Sequence, residues 1–373
     1  MEYVGTGAGI GRALSGHLVN YLKIIRSALV NTLTNRRIVL AARPRGVPQS
    51  SDFSMISEPL PEPGDGEIVS RTIYLSLDPY MRGRMNEGKS YAAPLEIGET
   101  MCAGTVSQVL KSNHPEFARD DYILTYDGWQ EYAVSGGKGA RKLDPTRAPI
   151  STALGVLGMP GMTAYMGLLE IGRPQSGETV VVAAATGAVG SNVGQIARLK
   201  GCRVVGIAGS REKCEYAINE LGFEACVNYR DADFRERLKA ACPDGIDVYF
   251  ENVGGMVFAA IIPLLNFKSR IPVCGLIAHY NDTGLPGGPN LLPQLMRVVL
   301  TQRVTISGFI VSDFADKQGD FRRDMSQWIT AGEIKYREDI VAGLDNAVGA
   351  FQGLLAGHNF GKLLIQVSED PTR

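Results

Sequence analysis

One stretch constrains the fold more than any other part of this 373-residue chain: Thr179-Val-Val-Val-Ala-Ala-Ala-Thr-Gly187-Ala-Val-Gly190-Ser-Asn-Val-Gly194. A short, unbroken apolar run is the pattern of a parallel strand buried on both faces. It leads directly into three glycines and a helical stretch that reaches Lys200. In such a turn Gly187 allows the sharp reversal, and Gly190 lets the backbone approach a pyrophosphate. Gly194 lets helix and strand pack closely, and the helix start offers free N–H groups to phosphate. Further strands are expected at Arg203–Ala208, Ala225–Asn228, Ile246–Glu251, Arg270–Leu276 and Val304–Phe309. They alternate with helices at Arg211–Leu221, Ala232–Ala241, Met256–Leu265 and Leu291–Thr301. Strands alternating with helices in this way predict an α/β, doubly wound parallel sheet.

The rest of the chain has a different rhythm. Residues 36–150 carry short strands at Arg37–Ala41, Ile68–Leu77, Gly98–Val109 and Asp121–Tyr126, divided by Pro, Gly and Asp turns. This is the pattern of a β-rich, barrel-like domain. The tail from Asp313 reads as two amphipathic helices and a last strand, Lys362–Val367, which returns to complete that first domain. The expected division is therefore residues 158–312 for the Rossmann unit, and 35–157 with 313–373 for the β-rich unit. Residues 1–34 form an extension whose leucines recur at helical spacing, read as an appended helix or a surface tether. Its Gly5-Thr-Gly7-Ala-Gly9-Ile-Gly11 imitates a phosphate loop but lacks the buried strand such a loop needs. Many of the 44 glycines fall between 155 and 209, across the domain junction and the phosphate loop.

Charge and cysteine usage exclude other classes. The net charge is −1, which gives no general grip on nucleic acid or on an anionic membrane. No 18-residue apolar run is present, so no transmembrane helix is expected. The six cysteines form no C-x-x-C pair, and a reducing, cytoplasmic setting is the default. The four histidines are scattered and supply no metal motif, so no metal site is expected.

Cofactor choice is read at the end of the Arg203–Ala208 strand. An NAD site places an acid there for the ribose 2′-OH. Here the strand runs into Gly209-Ser210-Arg211-Glu212-Lys213. Ser210, Arg211 and Lys213 suit a 2′-phosphate, which points to NADPH/NADP. Hydride transfer without a metal then needs neutral donors for the charge that develops on substrate oxygen. Tyr80, Tyr91 and Tyr280, each on an expected loop, are the candidate catalytic groups.

Together these motifs resemble the medium-chain dehydrogenase/reductase superfamily, in its zinc-free branch. That branch contains prostaglandin reductases, leukotriene-oxidising dehydrogenases, plant double-bond reductases and bacterial curcumin-type reductases, the last being most similar. The resemblance covers about 35–370. It is carried by YLSLDPYMRGRM (74–85), GVLGMPGMTAYMGLLEIG (155–172), the phosphate-loop segment, YFENVGG (249–255), RIPVCGLIAHYN (270–281) and NFGKLLI (359–365). It implies a GroES-like substrate domain beside the Rossmann unit, a homodimer, and NADPH-dependent reduction of the C=C bond of α,β-unsaturated ketones and aldehydes. Hydride would reach the β-carbon, with a tyrosine and a ribose hydroxyl stabilising the enolate. A quinone oxidoreductase and a non-catalytic NADPH-binding protein are the rival readings.

The resemblance also implies site residues. Gly187, Ala188, Val189 and Gly190 are similar to a pyrophosphate loop, and Lys213 and Tyr229 to a 2′-phosphate pair. Asn252, Cys274 and Gly275 in the turn to Tyr280, Phe309, Ile310 and Val311, and Asn359 are similar to segments lining the cofactor. Tyr91 matches a tyrosine implicated as proton donor in curcumin-type reductases, and Tyr280 one implicated in the plant enzymes; Tyr91 ranks first. Gly98-Glu99-Thr100 stands where zinc-dependent members carry Gly-His-Glu.

Overall fold

The computed structural model describes Met1, residues 33–284 and residues 290–373. The Gly5–Gly11 imitation and the amphipathic stretch of the extension lie outside the described residues. The parallel sheet contains β1 (Thr179–Ala183), β2 (Arg203–Ala208), β3 (Ala225–Asn228), β4 (Ile246–Phe250), β5 (Leu265–Val273) and β6 (Thr305–Gly308). Their spatial order is β3-β2-β1-β4-β5-β6. The order reverses between β1 and β4, so a crevice opens outside their carboxyl ends.

All five residues of β1 are buried. Val180 and Val182 face one core layer with Met162, Met166, Val193 and Ile196. Val181 and Ala183 face the other, with Phe234, Leu238, Val257 and Ile261. Alternate side chains of one strand thus enter two cores, as the apolar run requires. Fully burying each valine contributes roughly 1.5–3 kcal/mol.

The second unit is a seven-stranded sheet that includes Ile68–Ser76, Thr105–Ser112 and Lys362–Gln366, flanked by a hairpin of Thr34–Leu40 with Phe53–Pro59. Trp129 fills its core, stacked on Phe53 at 5.9 Å and edge-on to Phe351 at 5.6 Å. The strand Lys362–Gln366 pairs with Ile68–Ser76, so the tail does rejoin the β-rich sheet. The tail helix Gln318–Thr330 instead buries Phe321 and Met325 in the core of the parallel sheet.

Several boundaries differ from expectation, each for a local reason. The helix expected over Met256–Leu265 ends at Ile261 and passes through one tight turn. Pro263 has no N–H to continue it, and Leu265 already begins β5. The strand expected from Gly98 begins only at Thr105. Glu338–Ala342 is an additional parallel edge strand on Lys362–Gln366.

An ion pair fixes the return strand. Lys362 Nζ donates to Asp78 Oδ1 at 3.0 Å, to the Leu77 carbonyl at 2.7 Å and to the Leu363 carbonyl at 3.0 Å. Both side chains are buried. Removing one partner of such a pair leaves an uncompensated buried charge, costing about 3–5 kcal/mol. Lys362→Met is therefore expected to lose about that much unfolding free energy in urea. Adding Asp78→Asn to it should cost less than the two single losses summed.

Candidate active site

The phosphate loop leaves β1 through Ala184, which adopts φ 53°. The strained residue of the turn is this alanine, since Gly187 is absent from the positive-φ positions. Helix α1 (Gly190–Leu199) follows. A Cβ on Gly190 would stand 2.3 Å from the Ala184 carbonyl oxygen, and one on Gly194 would stand 1.9 Å from Phe223. Gly190 is thus required first by the chain's own backbone. Gly194 makes room for the ring that follows the next helix rather than for a strand.

The start of α1 has no side-chain cap, and among the described residues the amides of Ala188 and Val189 donate to no protein acceptor. Free N–H groups at a helix start suit a pyrophosphate. Ser191 Oγ and Asn192 Nδ2 bind the Gly187 and Ala188 carbonyls at 2.8 and 2.7 Å, which holds the loop's amides outward. Gly361 donates to Thr186 at 3.1 Å and forms a bridge with Gly187, tying the loop to the chain before the return strand. Asn359 Nδ2 braces this contact through the Gly361 carbonyl at 2.9 Å.

The end of β2 is built for an anion. Ser210 caps the helix Arg211–Asn219 by accepting from the Lys213 amide at 3.3 Å. Among the described residues Lys213 Nζ bonds to one acceptor, the neutral Gly357 carbonyl, at 2.7 Å. Burial and the nearby Arg230 hold the lysine below its ordinary pKa. Two cations gathered beside each other without a carboxylate bonded between them suit a phosphate dianion. Arg230 also lies 5.7 Å over the Tyr229 ring, and that ring packs where a Cβ on Gly209 would stand. Arg211 faces solvent and is held by Glu215 at 2.6 Å. Arg230 therefore stands where the strand-end reading had placed Arg211. Glu212 is exposed.

At the reversal point Asn252 Nδ2 donates to the Ala183 carbonyl at 2.8 Å and so joins the ends of β4 and β1. The buried Glu251 carboxylate accepts from Val253 N at 2.6 Å, Gly254 N at 2.8 Å and the Tyr249 hydroxyl at 3.0 Å. Its main-chain carbonyl accepts from Cys274 and Gly275. These bonds fix the turn Cys274–Tyr280. Phe309 packs its ring against Phe250 and Phe314, with Ile310 and Val311 following on the chain.

Of the three candidate tyrosines, Tyr91 lies near both of the others, Tyr80 and Tyr280. Tyr80 opens the helix Tyr80–Arg84 and borders a cavity of about 380 Å³ shared with Arg84, Cys102 and Tyr126. Tyr91 lies near Arg84, Cys102 and Cys274, while Tyr280 lies near Cys274 and Tyr91. Tyr280 Oη accepts from the Leu276 amide at 3.4 Å and occupies the space beside Gly275. Burial pushes all three phenols up, so they remain protonated donors at neutral pH. Burial likewise pushes the Cys274 thiol up to about 12, which keeps it from acting as a thiolate nucleophile. Tyr91 remains 63% exposed, whereas Tyr280 is half-buried.

Among the described residues no group of three or more His, Cys, Asp or Glu is placed to hold a metal ion. Thr100, in the Gly98–Thr100 string, accepts from Arg37 Nη1 at 3.1 Å.

A family model described as the N-terminal domain of oxidoreductase matches residues 36–143, and one described as zinc-binding dehydrogenase matches 188–331. The NADPH-dependent curcumin reductase of Escherichia coli K12 is 54% identical over 337 residues, covering 90% of this chain and 98% of that protein. Prostaglandin reductase 1 of Rattus norvegicus is 41% identical, covering 86% and 95%. The crystal structure of CurA from Vibrio vulnificus in complex with NADPH superposes with a TM-score of 0.87 at 54% identity, covering 90% of this chain and all of that one. The chain belongs to the zinc-free branch of the medium-chain dehydrogenase/reductase superfamily, the branch of the curcumin and prostaglandin reductases.

Proposed function

We propose that this protein is an NADPH-dependent oxidoreductase that reduces the C=C bond of α,β-unsaturated ketones and aldehydes. The observation that carries the reading is that protonated Tyr91 and Tyr280 stand beside Cys274 at the end of β5, with Tyr80 next to Tyr91. The named activities of its relatives support it. NADPH, when bound, supplies a hydride. The chain's own residues do the rest. Amides of Ala188 and Val189 hold the pyrophosphate, and Lys213, Arg230 and Ser210 hold the 2′-phosphate. Tyr229 and Asn359 flank the cofactor, as do Asn252, Cys274 and Gly275 at the reversal point.

Tyr280 donates to the substrate carbonyl oxygen as negative charge builds there, and Tyr91 assists from the mouth of the crevice. Protonation at the α-carbon then comes from a tyrosine or water. Burial places Tyr280 ahead of Tyr91, because a phenol open to solvent is readily replaced by water. An NADPH-oxidation screen over small enones, long lipid enones, diaryl dienones and quinones tests the reading. Faster turnover of the enones supports it. Faster turnover of quinones favours a quinone reductase, and tight NADPH binding without turnover favours a binding protein.

The same proposal extends to assembly and setting. Leu292, Met296 and Leu300 recur every four residues on the helix Leu292–Gln302 and are exposed, as is Ile306 on the outer strand β6. Among the described residues β6 pairs with β5 alone, and its other edge is available to a second copy. A homodimer through this face is the expected species in sedimentation, and Leu300→Glu should convert it to monomer. All six cysteines are free thiols, which suits a cytoplasmic setting. Among the described residues no helix is long and apolar enough to cross a membrane.

A further inference from the structure

Arg82 is 2% exposed and has no carboxylate within salt-bridge distance among the described residues. Its three donors go to neutral oxygens. Nη1 binds Asn86 Oδ1 at 2.6 Å, Nη2 binds the Gly46 carbonyl at 2.8 Å, and Nε binds Asn281 Oδ1 at 3.0 Å. A guanidinium buried without a counter-charge is costly to keep, so its position calls for a reason beyond packing.

The reason lies in which elements it joins. Gly46, Arg82 and Asn86 belong to the β-rich unit, whereas Asn281 follows the turn at the end of β5. Asn281 is the immediate neighbour of Tyr280. On the other side of that tyrosine, His279 Nε2 accepts from the Gly255 amide at 3.1 Å, and its Nδ1 is paired with Asp282 at 2.8 Å. His279 therefore anchors the turn to the parallel-sheet unit, and Asn281 anchors it to the opposite wall. Tyr280 sits between two anchors that belong to different units.

We propose that Arg82 is a positioning residue that, through Asn281, fixes Tyr280 across the crevice. This rests on the role of Tyr280 given above. Asn281→Ala removes the bond from the less buried side and spares the Arg82 core. Its expected result is about a tenfold lower kcat on an enone, with NADPH affinity within twofold of wild type. Hydrogen exchange over Cys274–Gly284 should also quicken, because the amides of His279 and Asp282 are bonded within this turn and that of Ala278 ties it to the Val253 carbonyl. Asn281→Asp, which gives Arg82 a charged acceptor, should restore both readouts. Arg82→Gln should match Asn281→Ala, and the double variant should be no slower than the slower single one. Unchanged kcat or unchanged exchange in a folded Asn281→Ala protein overturns the proposal, as does additivity in the double variant. Tyr280→Phe is measured alongside. Wild-type turnover in that variant overturns the tyrosine's role, and the exchange readout then judges the Arg82–Asn281 link on its own.

Discussion

A Tyr280→Phe enzyme is expected to turn over an enone about 10²–10³ times more slowly than wild type, with NADPH affinity unchanged. The phenol is held in the Cys274–Tyr280 turn, and the Glu251 carbonyl fixes the start of that turn. Burial keeps the hydroxyl protonated, so it donates rather than accepts at the substrate oxygen. The phenylalanine ring fills the same space and removes the donor, together with the long 3.4 Å contact from the Leu276 amide. Its effect is therefore on the step in which charge builds, and kcat falls more than KM rises. Tyr91→Phe should have a smaller effect, because water already reaches that side chain. Steady-state kinetics with an enone, together with NADPH titration by fluorescence, separates the two contributions.

The second large effect is on cofactor choice. Lys213→Ala and Arg230→Ala should each raise the KM for NADPH by about 10–100-fold, the worth of a hydrogen bond to a charged group. The KM for NADH should change little, because NADH carries no 2′-phosphate. Lys213 presently donates to a carbonyl, so an arriving phosphate replaces a neutral acceptor with a dianion. It also relieves the repulsion between the two cations, which adds to burial in depressing the lysine's pKa. The combined variant should bring the NADPH and NADH values close together. The comparison is made from KM values for the two cofactors in the single and double variants.

Much of this was legible in the chain, for a physical reason. β2 and β3 match their expected ranges, and β1 and β4 differ only at their ends, because strands buried largely on both faces are dominated by apolar residues. The phosphate loop was legible because its glycines follow such a strand directly. Pro263 was the missed signal at the end of the helix Gly255–Ile261. Arg230 is not legible from the end of β2, where a dinucleotide site ordinarily declares its ribose partner. It lies two residues past the end of the neighbouring β3, so its signal stands at that strand's end. Glu338–Ala342 carries two acids in five residues and pairs only at a sheet edge, so its pattern is weak. The bond between Arg82 and Asn281 spans 199 positions. No local pattern reports a contact of that separation, nor the positive φ that falls on Ala184 rather than on a glycine.

The most direct test follows the label. NADPH carrying deuterium at the transferred position is oxidised with an enone, and the product is examined by NMR. The account predicts a saturated ketone with deuterium on the β-carbon and the carbonyl intact. An allylic alcohol with deuterium on the carbinol carbon would contradict it.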